Sequence, residues 1–356
     1  MKSCSFIIPV YNCGGCLEGC IAGIQAMQLE QYEIILIDDG SGDDSGVICD
    51  RLAERFDEIR VFHQENQGVS SARNRGIEMA EGELIVFLDA DDTMEPEKLR
   101  RLIHTMEDDD ALDLLIYGIS FDYYHHGKCY RRDELAYPET GQMPLEKWTK
   151  ELLQMYQHNA LSSSCTKIFR KSIITSNQLR FNQKMFLYED LEFVLRYLAC
   201  CKTIYNSEEI AYLYHQQEDE GNAGRRLLRI DHLPDLISQV EAALWDLIVN
   251  LNLDANAEHT ANAILTQLYL TLAQQKIAVA DRRQIAQICQ EMSDWMKDRP
   301  DAALDSLSDE SRDYLEAVMN ERINWLLENR RYTAIRHKIA VFVKNMPLYQ
   351  RLKQSR

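Results

Sequence analysis

Glycine is spread so unevenly along this chain that it divides the possible folds before any motif is read. Twelve of the 15 glycines lie within the first 127 residues, and none follows Gly224 in the remaining 132. Gly in a helix interior costs roughly 1 kcal/mol relative to Ala. A long glycine-free stretch rich in Leu, Ala, Gln, Glu and Arg therefore predicts a helical C-terminal region. The first part predicts something else. Short apolar runs end there at turn residues and alternate with helical patterns, which is how a parallel α/β sheet reads.

The runs can be placed in order. Ser5–Val10 predicts a first strand, and Cys16 to about Gln28 a helix. Glu33–Ile37 (EIILI) predicts a buried strand ending in Asp38-Asp39-Gly40-Ser41, with a helix from about Ser45 to Phe56. Arg60–Phe62 is a short strand and Val69–Ala80 a helix. Leu84–Leu88 (LIVFL) is a second buried strand ending in Asp89-Ala90-Asp91-Asp92, and a helix starts at Pro96, where Pro suits the first helical turn. Leu114–Tyr117 is a further strand. In such sheets ligands bind beyond the carboxyl ends of the strands, and both acidic clusters fall there. From 119 to 225 the pattern is mixed, with Tyr and His gathered in Asp122–His126 and a loop over 216–226. The 356 residues divide into a domain over 1–225, itself split near 118, and a helical domain over 226–356.

Composition excludes several classes. The formal net charge is −18, and nucleic-acid binding needs a positive face for phosphates. No apolar run approaches the roughly 20 residues of a membrane-spanning helix. The opening MKSCSFIIPVYN reads as a strand rather than a signal segment. Ten cysteines without such a segment predict free thiols in a reducing cytoplasm. Cys13, Cys16 and Cys20 are spaced C-x₂-C-x₃-C with no fourth partner nearby, so structural thiols are expected rather than zinc. The last 27 residues, Arg330–Arg356, carry eight cations and no acid, leaving −26 on the rest. That tail reads equally as a basic amphipathic membrane-surface element or as a helix packed on an acidic body.

Two nucleotide motifs are missing. Gly14-Gly15 and Gly19 do not form G-x-G-x-x-G after the first strand, and there is no G-x-x-x-x-G-K-[ST]. The Asp89-Ala90-Asp91 triplet offers different chemistry. Carboxylates one residue apart at a strand end can split their work, one reaching a ribose hydroxyl and the other a hard divalent cation such as Mg²⁺ or Mn²⁺, which takes oxygen ligands from carboxylates and phosphates. Asp39, at the previous strand end, could accept from a pyrimidine N3–H. A plain Asp-rich turn accounts for the same residues.

Taken together, Ile7-Ile8-Pro9-Val10-Tyr11-Asn12, EIILIDDGSGDDS, the segment Asn66–Gly76 (NQGVSSARNRG) and EGELIVFLDADD resemble the family 2 glycosyltransferases of the GT-A fold, over about residues 4–120. The resemblance implies a mostly parallel α/β sheet with helices on both faces, followed here by the α-helical C-terminal domain. It implies inverting transfer from a nucleotide-diphospho-sugar, most often a UDP-sugar, with Mn²⁺ or Mg²⁺. By motif match Asp39 would contact the uracil, Asp89 the ribose and Asp91 the metal. Pro9 and Tyr11 would lie near the nucleobase, and Arg73 would support the carboxylates. Tyr188-Glu189-Asp190 resembles the downstream E-D motif, so Asp190 is expected as the general base on the acceptor, with Glu189 beside it. His215 is expected at the metal or the diphosphate. Lys167 falls in a family segment whose preceding aromatic residue and Asn are here Cys165 and Thr166. Arg225 and Arg226 are candidates for a lid over the pyrophosphate. The family's usual setting is bacterial surface-polysaccharide assembly, with a glycan or lipid-linked acceptor. That implies a cytoplasmic protein, peripheral on the inner membrane face if the 330–356 tail binds lipid. Two rivals stand beside this reading: a non-catalytic sugar-nucleotide binder or scaffold, and a nucleotidyltransferase. The latter is disfavoured because Asn12–Gly19 has no Lys or Arg.

Overall fold

The computed structural model describes residues 3–329 apart from 126, 146, 148–151, 159, 186, 218–229, 231, 252, 254, 298, 300–306, 327 and 328. Arg225, Arg226 and the 330–356 tail lie outside the described residues. The chain separates into two compact units, one of residues 1–218 with 239–261, the other of 219–238 with 262–356.

The first unit is built on one mixed sheet. β1 (Cys4–Val10), β2 (Tyr32–Asp38), β3 (Ile59–His63) and β4 (Leu84–Phe87) are parallel in the order β3-β2-β1-β4. Three helices connect them: α1 (Gly14–Ala26), α2 (Ser45–Arg55) and α3 (Val69–Met79). The central strands are apolar because both faces are covered: Phe6, Ile7, Ile8, Ile34, Ile35, Leu36 and Ile85 are all fully buried. Pro9 pairs with Ile37 in β2, but β4 stops pairing at Ile7↔Phe87. The proline therefore sits where β1 has outrun β4, a position that needs no ladder donor. Gly76 on α3 lets the helix press onto the sheet, since a Cβ there would lie 2.2 Å from Ile7 Cγ2.

Beyond β4 the sheet changes character. After β5 (Thr93–Met94) and α4 (Pro96–Glu107) come the long β6 (Leu114–His125), β7 (Lys128–Leu135) and β8 (Gly141–Pro144). Further on lie α5 (Leu152–Gln157), a 3₁₀ turn (Ser164–Thr166), β9 (Lys167–Arg170), α6 (Lys171–Ser176), α7 (Glu189–Leu198) and β10 (Thr203–Gln217). β9 is inserted antiparallel between β4 and β6, while β10 runs parallel to β6 and antiparallel to β5 and β8. The strand expected over Leu114–Tyr117 thus continues eight residues further. Gly118 does not end it: a Cβ there would lie 2.5 Å from Ile210 Cδ1 and 2.7 Å from Ala136 Cβ, so glycine is present for close packing. Phe87, Phe169, Phe181 and Phe193 interlock below the strand ends, with Phe181 stacked on Phe193 at 4.0 Å between centroids. Such pairs add about 0.5–1.5 kcal/mol each beyond their burial, and here they seat α7 against β4 and β9.

The second unit is helical where described. Its helices are α9 (Ala255–Val279, from Asn262 onward), α10 (Arg282–Lys297) and α11 (Asp309–Met319), preceded by α8 (Leu233–Asn250), which begins in this unit. Tyr269 stacks on Trp295 at 5.0 Å, and the buried Lys276 spends its ammonium on the Ile230 carbonyl at 2.6 Å. Ser308 caps α11 by accepting from the Ser311 amide. No described helix is long and apolar enough to cross a membrane.

Candidate active site at the carboxyl ends of the sheet

The order β3-β2-β1-β4 reverses direction of winding between β1 and β4, the kind of switch point beyond whose strand ends ligands bind in open α/β sheets. Tyr11, just past β1, stands 54% exposed, with Pro9 half-buried behind it. Asp39, just past β2, is buried. Its Oδ1 accepts from Gln64 Nε2 (2.7 Å) and the Gln67 amide (2.9 Å), and its Oδ2 from the Gly68 amide (2.8 Å). Asp39 therefore fastens the loop that feeds α3. Gly40 next to it has φ 69°, and a Cβ there would lie 2.8 Å from the Asn66 amide nitrogen. Its neighbour Asp38 turns away and lies 2.8 Å from His63 Nδ1, whose Nε2 is 3.0 Å from Asp50. Those two carboxylates raise the His63 imidazole above its ordinary value.

Arg73 is the centre of the site. It is buried on α3, and its guanidinium donates from Nη1 to Asp190 Oδ1 (2.6 Å) and from Nη2 to Asp89 Oδ1 (2.8 Å), with Glu189 Oε1 at 3.9 Å. The Phe181 ring lies 5.4 Å below it. Burial alone would favour a neutral guanidine, but the charges of Asp190 and Asp89 more than offset that and hold the group firmly charged. Asn74, the next residue, takes no part in this. Its amide clamps both backbone groups of Phe181, at 2.9 and 2.8 Å, and so fixes the ring under Arg73.

Glu189 and Asp190 open α7, where negative charge suits the helix dipole. The preceding Tyr188 is held at φ 62°, a left-handed conformation that is uncommon for a bulky residue. Burial first, and the charge of Asp190 second, raise the Glu189 carboxyl. Asp190 Oδ2 accepts two bonds from Ser164, from the amide and the hydroxyl, both at 3.0 Å. Lys167, which opens β9 in the segment that resembles the family's, is fully buried rather than a surface residue. Its ammonium donates to the Ser163 carbonyl (2.5 Å) and Thr166 Oγ1 (3.3 Å), and burial lowers it to about 7. Ser164 escaped the sequence reading: its signal, a run of three serines before Cys165, is indistinguishable from a polar turn.

Asp89, Asp91 and Asp92 diverge after β4. Asp92 is buried, bonded by the Tyr212 hydroxyl and the His215 amide (2.8 Å); burial, then the Asp89 charge, push it up to about 8. Tyr212 was not foreseen either. Desolvation and the Asp89 charge raise Asp91 as well, with His215 opposing. His215 Nε2 lies 2.9 Å from Thr93 Oγ1. A crowded acidic set of this kind is short of positive charge, and its oxygen and imidazole donors match a hard divalent cation. Among the described residues no three His, Cys, Asp or Glu side chains converge on one point. Asp91 and His215 would thus hold an ion only together with ligand oxygens such as those of a diphosphate. Burial and the neighbouring Cys16 push the Cys13 thiol up to about 12, and all ten cysteines are free.

Residues 5–176, just under half of the chain, match the model of Glycosyl transferase family 2, and the resemblance to that family holds over this segment. It is 33% identical over 177 residues to the putative glycosyltransferase EpsH of Bacillus subtilis, covering 50% of this chain and 49% of that one. It thus spans about half the length of that relative. It is 29% identical over 254 residues to the glycosyltransferase GlyG of Streptococcus pneumoniae, covering 69% and 80%. Among solved structures, S. aureus TarS 1–349 in complex with UDP shares the fold at a TM-score of 0.65 and 18% identity, over 94% of this chain and 92% of that one.

Proposed function

We propose that this chain is an inverting glycosyltransferase that moves a sugar from a UDP-sugar to a hydroxyl of a glycan or lipid-linked acceptor in bacterial surface-polysaccharide assembly. The observation that carries the reading is the Arg73 bridge. One guanidinium holds Asp89, the candidate ribose ligand, and Asp190, the candidate base, within a single hydrogen-bonded unit. A donor carboxylate and an acceptor base joined through one buried cation suit a single displacement, which needs one base and no protein nucleophile.

In this reading Tyr11 and Pro9 flank the nucleobase, and Asp39 takes the uracil N3–H on Oδ2, where its loop bonds leave one acceptor site. Asp89 receives the ribose hydroxyls, and Arg73 keeps Asp89 and Asp190 from repelling each other. A bound Mn²⁺ or Mg²⁺, held by Asp91 and His215, would supply Lewis-acid stabilisation of the charge on the departing diphosphate. Asp190 accepts the proton of the attacking hydroxyl. Support for UDP comes from TarS, which shares the fold and has been crystallised with UDP and with UDP-GlcNAc. Support for a membrane-facing role is the tail of eight cations and no acid.

Calorimetry with UDP tests the donor site. UDP should bind at least tenfold more tightly with Mn²⁺ than with EDTA, and Asp91→Ala should erase most of the difference. Equal affinity in both buffers would remove the metal from the reading. No UDP binding in either would remove the donor.

A further inference from the structure

The two oxygens of Asp190 are not equivalent, and what distinguishes them is a residue outside every recognised motif. A carboxylate oxygen offers about two acceptor sites. Oδ2 receives both the amide and the hydroxyl of Ser164, each at 3.0 Å, and is therefore full. Among the described residues Oδ1 receives only Arg73 Nη1, at 2.6 Å, and the same guanidinium reaches Asp89. One acceptor site on Oδ1 therefore remains.

Ser164 is itself held in place. It is fully buried at the start of the 3₁₀ turn, 26 residues from Asp190 in sequence. Ser163 Oγ accepts from the Cys165 amide at 3.1 Å, and Tyr117 donates to the Cys165 carbonyl at 2.8 Å. Lys167 reaches back to the Ser163 carbonyl. The turn is thus tied on each side of Ser164, and its two donors cannot follow Asp190 if the carboxylate swings.

We infer that Ser164 is a positioning residue for the candidate base: by filling Oδ2 it fixes the Asp190 rotamer and assigns the acceptor proton to Oδ1. The inference rests on Asp190 being the base. Withdrawing one donor from the charged carboxylate removes a charge-assisted bond and frees Oδ2 to compete with Oδ1 in an unproductive orientation. Placement errors of this kind cost rate rather than binding.

The test measures UDP release from UDP-GlcNAc, UDP-glucose and UDP-galactose with Mn²⁺, water acting as acceptor, in wild type, Ser164→Ala, Ser164→Cys, Ser164→Thr and Asp190→Asn. Ser164→Ala and Ser164→Cys should each lower kcat roughly tenfold, with donor KM and UDP affinity unchanged. Ser164→Ala removes volume and Ser164→Cys adds it, so an equal loss from both points to the hydrogen bond. The acidic limb of the kcat profile should move to higher pH in both, because a hydrogen bond to the charged form is lost. Ser164→Thr, which keeps the hydroxyl, should recover most of the rate; if it does not fold, the Ala and Cys pH profiles decide. If Asp190→Asn abolishes release while Ser164→Ala keeps kcat within twofold and an unmoved profile, this inference alone is overturned. If Asp190→Asn retains full rate, the base assignment falls and Ser164 with it. If the wild type releases UDP from none of the three sugars, the donor reading falls and the inference with it.

Discussion

The two sides of the proposed site are built in different ways. The side proposed for the nucleotide is made by chain segments that carry their chemistry with them: β2 delivers Asp38 and Asp39, β4 delivers Asp89, Asp91 and Asp92, and each cluster ends its own buried strand. The side proposed for the base is assembled across long separations. Asp190 meets Ser164 26 residues before it and Arg73 117 residues before it. A site made locally can be read as a motif. A site made by tertiary packing depends on the insertion of β9 and the seating of α7, and it is there that substitution should have the more selective consequences.

The sharpest break between the two sides is expected from the base. Asp190→Asn keeps size and removes basicity, so UDP release and sugar transfer should fall by about 10²–10⁴-fold. UDP affinity should stay within twofold. Asp91→Asn should damage both. Loss of UDP binding in Asp190→Asn comparable to that in Asp91→Asn would show that the two sides do not work separately.

Arg73 tests the join. Arg73→Met leaves Asp89 and Asp190 facing a site with no cation, and removing one partner of a buried ion pair costs about 3–5 kcal/mol. Asp89 keeps 34% of its side-chain surface in contact with solvent, which places the expected loss at the low end. Urea unfolding followed by circular dichroism measures it; a loss below about 1 kcal/mol would mean the bridge is no more than a surface pair.

How much of this was legible follows the same division. The parallel strands and the positions of Asp39, Asp89 and Asp91 at their ends could be read because each strand is an unbroken apolar run followed by a turn. The C-terminal helices were legible from the absence of glycine. Residues 119–225 were not, for physical reasons. β6 passes through Gly118, which reads as a stop although it marks tight packing against Ile210. β9 is a four-residue strand, too short to show a period. Ser164 and Tyr212 carry no local signal, because their roles come from partners more than 20 residues away.

The two sides should also differ in how pH acts on the fold. Burial holds Lys167 at about 7, against an ordinary value of 10.5. Between those values the unfolded chain binds the proton and the folded chain does not. Stability from this group is therefore present above pH 10.5 and lost as pH falls through 7, so it rises with pH on the order of 1 kcal/mol per unit inside the window. Lys167→Met removes that slope. Comparing urea midpoints of wild type and variant at pH 7.5 and 9.5 reads it directly: the wild type should gain on the variant as pH rises. A gap that does not change would show that the ammonium is solvated in solution.

His63, on the nucleotide side, should respond with the opposite sign and a smaller size. Its imidazole lies between Asp38 and Asp50, and hydrogen bonds to both, Asp38 first, raise it above the 6.5 of a free histidine. A group raised in the folded state contributes its full stability below the unfolded value and loses it as pH climbs through the folded one. The wild type should therefore lose stability relative to His63→Gln as pH rises above 6.5. The side chain is 47% exposed, so water and salt screen the pair and the effect should stay under about 1 kcal/mol. Raising the ionic strength to about 1 M, where the screening length falls to ~3 Å, should shrink it further while leaving the Lys167 slope largely intact, because Lys167 is shifted by burial and His63 by exposed charge. If both responses collapse together in salt, the two groups share one electrostatic origin and the contrast between a burial-driven Lys167 and a charge-driven His63 is wrong.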